Sequence, residues 1–349
     1  MLVDTMHVMT IAMHMRTRLL PQVGSWKACG RINNKLRIWR RPVAVVLARH
    51  GLPPARIQPV FLGSSPVFLV GGRTPRVMVK FYPPVGLQHW KRESAALQAV
   101  AVRGEPPVPR IMASGTLCDR STWHYLIMVP VPGTAVRWVS NRLMHRDWLT
   151  VMREAGQMLR QLHAIPAPRE LPSLDAAAWT QRALRACAAS HRFSTEFLAE
   201  LRDRLPALTS TPHRSGRALL HGDMNGTHIA VKRQDGGWHV TGFFDFGNAL
   251  AGDPIYECLP FWHSMGNDPQ GLRAFIRGWR PTARITKAWR ERASAYVLLH
   301  SEGPGPVLQA CRMLRIDPTR LTWNRLCDLL FPPVLDGQSA ANGRRLASR

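Results

Sequence analysis

The chain has 349 residues, 45% hydrophobic and 20% charged, a balance that suits a soluble globular protein with room for two lobes and excludes disordered and fibrous classes. Its formal net charge of +25 would suit a phosphate-rich partner, but the arginines run along the whole chain, and lysine stands only at 27, 35, 80, 91, 232 and 287, so nucleic-acid binding is not indicated as the main function. The six cysteines show no C-x-x-C spacing and no apolar run reaches the length of about 18 residues that a membrane span needs, which argues against a zinc site, a disulfide framework and a membrane protein and for a reducing cytoplasm.

Residues 1–41 carry five methionines and Asp4 as their only acid, with no helical stripe long enough to pack. The expectation is a poorly ordered basic extension, because neither the apolar core nor the cleavage site of a secretory signal follows the start. Its Arg-rich, acid-poor character leaves a transit peptide as the alternative. From Arg41-Pro42 to His50, Val43, Val45, Val46 and Leu47 suit a short helix stopped by Gly51. Strands are expected from Ile57 to Leu62 and from Pro66 to Val70, joined by the turn Gly63-Ser64-Ser65. A third strand runs from Arg76 to Tyr82 and holds Lys80 between apolar neighbours, a costly place unless the ammonium meets an anion. A helix follows with Trp90, Ala95, Leu97 and Val100 on one flank and Glu93 thirteen residues after Lys80. Trp123 to Val129 reads as a buried strand, and Pro130-Val131-Pro132-Gly133 breaks it. Leu149, Met152, Ala155, Leu159 and Leu162 place a core helix over 147–163, and two more helices are expected between Trp179 and Leu205, separated near His191.

Between Arg217 and Pro260 the pattern concentrates chemistry. Ala218-Leu219-Leu220 leads into His221-Gly222-Asp223; Ile229 to Lys232 and His239 to Phe244 read as strands turned by Asp235-Gly236-Gly237; the second ends at Asp245-Phe246-Gly247. Both carboxylates thus leave strand ends joined by one hairpin, an arrangement suited to phosphoryl transfer, in which one acid takes the proton of an attacking hydroxyl and the other holds magnesium. Asp253 with Pro254 reads as a helix cap and is structural. Helices are expected at 272–279 and 289–300, and residues 337–349 as a disordered tail.

His221-Gly222-Asp223 followed by Asp245-Phe246-Gly247, with Gly252-Asp253-Pro254 and Tyr256-Glu257 behind, resembles the catalytic and metal loops of the aminoglycoside phosphotransferase family. That resemblance implies an α+β, bilobal protein-kinase-like fold: a small antiparallel-sheet lobe over 42–129 that binds the nucleotide, and a larger, mainly helical lobe over 130–336 for catalysis and acceptor binding. It implies ATP or GTP and Mg2+ as cofactors, and a small-molecule hydroxyl acceptor, antibiotic-like or metabolic. By the same resemblance Asp223 is catalytic and Asp245 binds the metal; Gly63, Ser64 and Ser65 cover the phosphates; Lys80 contacts them and pairs with Glu93; and backbone groups near Met128, Val129 and Val131 meet the purine.

One departure stands out: the family commonly has asparagine five residues after the catalytic aspartate, and here that residue is His228. Imidazole is a softer ligand than a carbonyl oxygen for magnesium. His228 or Asn225 would complete the metal shell, with a turn residue as the alternative for Asn225. This departure and the basic surface motivate a second reading, a catalytically weak or inactive nucleotide-binding scaffold. Between 167 and 215 the acids are few, Glu170, Asp175, Glu196, Glu200 and Asp203, so a less basic acceptor than an aminoglycoside is at least as well suited.

Overall fold

Side-chain alternation decides how the first strands are used. In a computed structural model, which describes residues 19–60, 63–72, 75–210, 217–257, 268–282, 285–300 and 303–332, the chain divides into two compact units, Met1–Ser94 with Pro109–Pro130 and Ala95–Val108 with Val131–Arg349. The expected tail at 337–349 and the first 18 residues lie outside the described residues.

In the first unit β1 (Ile57–Pro59), β2 (Val67–Gly71), β3 (Pro75–Tyr82), β4 (Arg110–Cys118) and β5 (Thr122–Val129) form an antiparallel sheet in the order β1-β2-β3-β5-β4. Phe68 and Val70, then Val77, Val79 and Phe81, then Trp123, Tyr125 and Ile127 are buried at every second residue, as the two-residue period of a strand requires. They share one core with Trp39, Val43, Val46 and Leu47. Lys80 has the opposite parity in β3 and therefore leaves the sheet on the other face from Phe81. It pairs across the ladders with Val67 and Leu126.

The core partners of Phe68 and Phe81 correct the reading of the first 41 residues. Residues from 19 onward are built into the unit: α1 spans Trp26–Gly30 and α2 spans Leu36–Arg49, with Pro42 inside it rather than at its start. The Trp39 indole lies 4.9 Å from both the Phe81 and Trp123 rings and 5.9 Å from Phe68. Burying such a ring is worth roughly 3–5 kcal/mol, which outweighs the hydrogen bond that Pro42 removes from the helix.

The helix α3 (Leu87–Arg103) is divided between the units after Ser94. In the second unit the amphipathic α4 (His145–His163) buries Val151, Met152, Ala155, Leu159 and Leu162. It packs closely on α7 (Pro269–Trp279), where a Cβ on Gly156 or Gly278 would collide with the backbone of Phe275 or Arg153. Between them in sequence come α5 (Ala176–Ala189) and α6 (Thr195–Thr209), capped by the side chains of Asp175 and Ser194 and joined through His191. The sheet elements are β6 (Thr134–Ala135) with the hairpin β8 (Ile229–Gln234) and β9 (Gly237–Phe243), and the ribbon of β7 (Ala218–Leu220) with β10 (Leu250–Gly252). Asp235 (φ 48°) and Gly236 (φ 81°) make the two-residue connection of the hairpin, with both central residues in the left-handed region. Buried helix α8 (Lys287–His300) follows. Among the described residues no helix is long and apolar enough to cross a membrane.

Candidate active site

The candidate residues fall into two groups, one in each unit. In the first, Lys80 Nζ lies 2.5 Å from Glu93 Oε2, and the Tyr82 hydroxyl donates to the same oxygen at 2.8 Å. Both side chains of the ion pair are buried, with 7% and 2% of their surface exposed. Glu93 shares the buried stripe of α3 with Ala96, Leu97 and Val100, so the helix turns its one carboxylate inward. A pair so buried contributes little net stability, because desolvation offsets the attraction. Gly63, Ser64 and Ser65 lead directly into β2, whose Val67 lies opposite Lys80, and Gly63 has φ 98°. Met128 is buried at the end of β5 between Met78 and Ile111, and Val129 pairs with Arg110. Val131 falls in the second unit.

In the second unit the ribbon β7–β10 and the hairpin β8–β9 hold the two acidic loops. Gly222 has φ 84°, and a Cβ there would collide with the Asn248 carbonyl, so only glycine allows the turn that delivers Asp223. Asp245 is left-handed (φ 70°, ψ 64°), which is uncommon for a side-chain-bearing residue and costs on the order of 1–3 kcal/mol at such sites. The carboxylates of Asp223 and Asp245 are each 39% exposed.

His228 lies between these two loops. Its Nδ1 is 2.7 Å from the Asp223 carbonyl oxygen, which can only accept, so Nδ1 carries the proton. The 3.3 Å approach of the Asn225 amide nitrogen to the same Nδ1 is then a contact between two donors and not a bond. The other ring nitrogen, Nε2, faces Asp245 Oδ2 at 3.7 Å. A ring oriented by an Nδ1–H to carbonyl bond is the usual setting of a metal-ligating histidine, and magnesium needs only one or two protein ligands beside phosphates. By their chemistry Asp245 and His228 would suit a divalent cation as its protein donors. No cluster of three His, Cys, Asp or Glu gathers among the described residues.

Asn225 is not placed for that role. Its amide Nδ2 donates to Asp223 Oδ1 at 2.9 Å, and its Oδ1 accepts from the Thr227 N–H at 2.8 Å and the Thr227 hydroxyl at 2.5 Å. Both lone pairs of the oxygen are occupied, so the reading of Asn225 as a substitute metal ligand gives way to an Asx turn that steadies Asp223.

Three residues behind the loop were not singled out as functional from the sequence. Glu257 is buried; its Oε1 accepts from the Gly222 N–H at 2.6 Å and its Oε2 from His163 Nε2 at 2.9 Å. The Trp279 indole N–H donates to His163 Nδ1 at 2.9 Å, which fixes His163 as the Nε2–H tautomer. The relay runs Trp279, His163, Glu257, Gly222 and ends one residue before Asp223. The only signal was Glu257 beside Tyr256 in the motif; nothing in the sequence links it to residues 94 positions upstream.

His221 is fully buried, accepts from the Asp223 N–H at Nδ1 and reaches the Phe244 carbonyl through Nε2 at 3.0 Å. Burial first, and then neighbouring His228, hold its imidazole below the usual range near 6.5. Glu257 is pushed up by burial, but the hydrogen bond from His163 and its neighbours outweigh this and hold it below 4.5. For both groups the unfolded chain binds more protons in the window just below those values, so stability is present above them and lost as pH falls. The melting temperature should accordingly decline in two acid steps, one starting below about 6.5 and one below about 4.5. A flat melting profile from pH 7.5 to 5.5 would contradict the first step.

Residues 56–293, more than half of the chain, match the sequence model described as the phosphotransferase enzyme family, APH. Solved structures share the fold at low identity. The GDP complex of wild-type aminoglycoside 2'-phosphotransferase-IIIa superposes with a TM-score of 0.59 at 15% identity, over 83% of this chain and 96% of that one. Aminoglycoside-3'-phosphotransferase of type VIII gives 0.51 at 23%, over 75% and 98%. An amicoumacin kinase in complex with AMP-PNP, Ca2+ and Ami gives 0.54 at 10%, over 81% and 96%. The α+β architecture is protein-kinase-like, and the chain belongs to the phosphotransferase enzyme family.

Proposed function

We propose that the protein transfers the terminal phosphoryl group of ATP or GTP to a hydroxyl of a small molecule. The observation that carries this reading is the gathering of Asp223 and Asp245 around one imidazole, His228, which bonds the Asp223 carbonyl and lies 3.7 Å from the Asp245 carboxylate. Asp223 takes or orients the hydroxyl proton, since its Oδ2 has no hydrogen bond among the described residues while Oδ1 is held by Asn225. Asp245 and His228 would hold Mg2+, which would supply positive charge against the phosphates. Lys80, kept in place by Glu93 and Tyr82, binds the phosphates under the Gly63-Ser64-Ser65 loop, and backbone groups of Met128, Val129 and Val131 bind the purine.

The acids of the acceptor region support a substrate less basic than an aminoglycoside. Asp175 caps α5, Glu196 bonds the neighbouring Thr195, and Glu200 accepts the Trp323 N–H at 2.7 Å, which leaves few carboxylates to hold a polycation. The test is a panel of hydroxylated antibiotics and metabolites with ATP and GTP, in magnesium and in manganese. Turnover of any acceptor supports the enzyme. Thermal stabilisation by nucleotide without turnover would favour the scaffold reading, for which His228 is the motivating residue.

His228 makes a finer prediction. Manganese accepts imidazole more readily than magnesium, so the protein should prefer manganese more strongly than its His228→Asn variant, which restores an oxygen ligand and should stay active. Identical metal preference in the two proteins would leave Asp245 as the one protein ligand.

A further inference from the structure

Asn33 sits in the turn between α1 and α2, upstream of residues 56–293 that match the family, and it is 5% exposed. Its Nδ2 donates to the Gly63 carbonyl oxygen at 2.5 Å, thirty residues away. The opposite amide orientation would set two oxygens against each other, so this assignment is the attractive one. The turn that carries Asn33 is itself fixed from the core. The Trp39 indole N–H donates to the Ile32 carbonyl at 2.9 Å, the Lys35 N–H donates to the same oxygen at 3.1 Å, and the Ile32 N–H donates to the Cys29 carbonyl at 2.9 Å. Trp39 and Cys29 are both completely buried. A rigid path therefore runs from the packed aromatic core through Ile32 and Asn33 to Gly63.

In a planar trans peptide the C=O of one residue and the N–H of the next point in opposite directions. Holding the Gly63 carbonyl toward Asn33 turns the Ser64 N–H away from it. That N–H has no hydrogen-bond partner among the described residues, and Ser64 is exposed. Gly63 at φ 98° is in a region that glycine reaches at little cost but does not hold by itself, so an outside anchor is what makes one orientation persist. Val67, which follows shortly in β2, pairs with Lys80, so the oriented amide lies in the turn that leads into the strand beside the buried ammonium.

We infer that Asn33 is a positioning residue for phosphate binding: its side chain holds the Gly63 carbonyl so that the Ser64 N–H is presented to a nucleotide phosphate. This rests on the proposed assignment of Gly63-Ser64-Ser65 as the phosphate loop. It makes the segment before the family match part of the nucleotide site and not an appendage to it.

The test is calorimetric titration of the full chain and two variants, Asn33→Ala and Asn33→Asp, with AMP-PNP and GMP-PNP in magnesium, and with adenosine and guanosine as ligands without phosphates. Alanine removes the donor; aspartate keeps the shape but cannot donate to a carbonyl. Both variants should bind the triphosphate analogue about 5-fold more weakly, the size of one neutral hydrogen bond, and should bind the nucleoside as the unmodified protein does. Unchanged triphosphate affinity in both variants overturns the inference. So does an equal loss for nucleoside and triphosphate, which a merely structural role would produce. If Asn33→Ala does not fold, the near-isosteric aspartate variant decides by the same comparison. An unmodified protein that binds neither analogue refutes the proposed function together with this inference, whereas binding that the variants leave intact refutes the inference alone.

Discussion

Asp223→Ala should lower turnover by about two to four decades, the usual loss when a positioned general base is removed. Several features place the effect on chemistry and not on binding. The Asp223 carboxylate is 39% exposed, is held through Oδ1 by Asn225, and sits one residue after Gly222, which the buried Glu257 anchors. Nucleotide affinity should stay nearly intact, because Lys80 and the Gly63-Ser64-Ser65 loop belong to the other compact unit. Asp223→Asn keeps the shape and loses the basicity, so it should fall almost as far as alanine. Single-turnover rates together with nucleotide titration separate the two quantities, and an alanine variant that turns over at the original rate would remove Asp223 from the mechanism.

Glu257→Ala should cost about 3–5 kcal/mol of stability, since it leaves two partly buried donors, the Gly222 N–H and the His163 Nε2–H, without an acceptor and opens a cavity at a buried side chain. For a chain of this size that corresponds to a melting temperature lower by roughly 4–7 °C. Glu257→Gln should fall between, because its amide oxygen can still accept one donor while its NH2 faces the other. In the glutamine variant the loss of kcat should exceed any change in KM for nucleotide, as the freed Gly222 lets Asp223 drift; displacements of about 1 Å cost on the order of 100-fold in such steps. The acid step below about 4.5 should also shrink in its melting profile, because the buried carboxylate that titrates there is gone. Thermal melts across pH with kinetics on the same preparations check both halves, and a Glu257→Ala protein as stable as the original would show that the relay carries no load.

What the sequence determined by itself was local chemistry. His221-Gly222-Asp223 and Asp245-Phe246-Gly247 could be placed at strand ends because the strands between them alternate and Asp235-Gly236 demands a two-residue hairpin, so register follows from neighbours a few residues apart. Lys80 was legible for a similar reason: an ammonium inside an apolar strand has few affordable environments. The helix over 145–163 announced itself by its period. Tertiary structure decided the rest. Val43, Val46 and Leu47 were legible as a helix, but the turns before them that carry Trp39 were hidden by Arg37, Arg40, Arg41 and Pro42, and only the hydrophobic face of the sheet shows why the helix runs through the proline. The Trp279, His163 and Glu257 relay joins residues up to 116 positions apart, and single polar side chains carry no periodicity that could reveal their partners. For Asn225 the sequence favoured a turn residue over a substitute metal ligand; the folded loop decides for the turn, because Thr227 and Asp223 occupy its oxygen and its amide. The same holds for Asn33, whose role exists only because a core tryptophan brings its turn against Gly63.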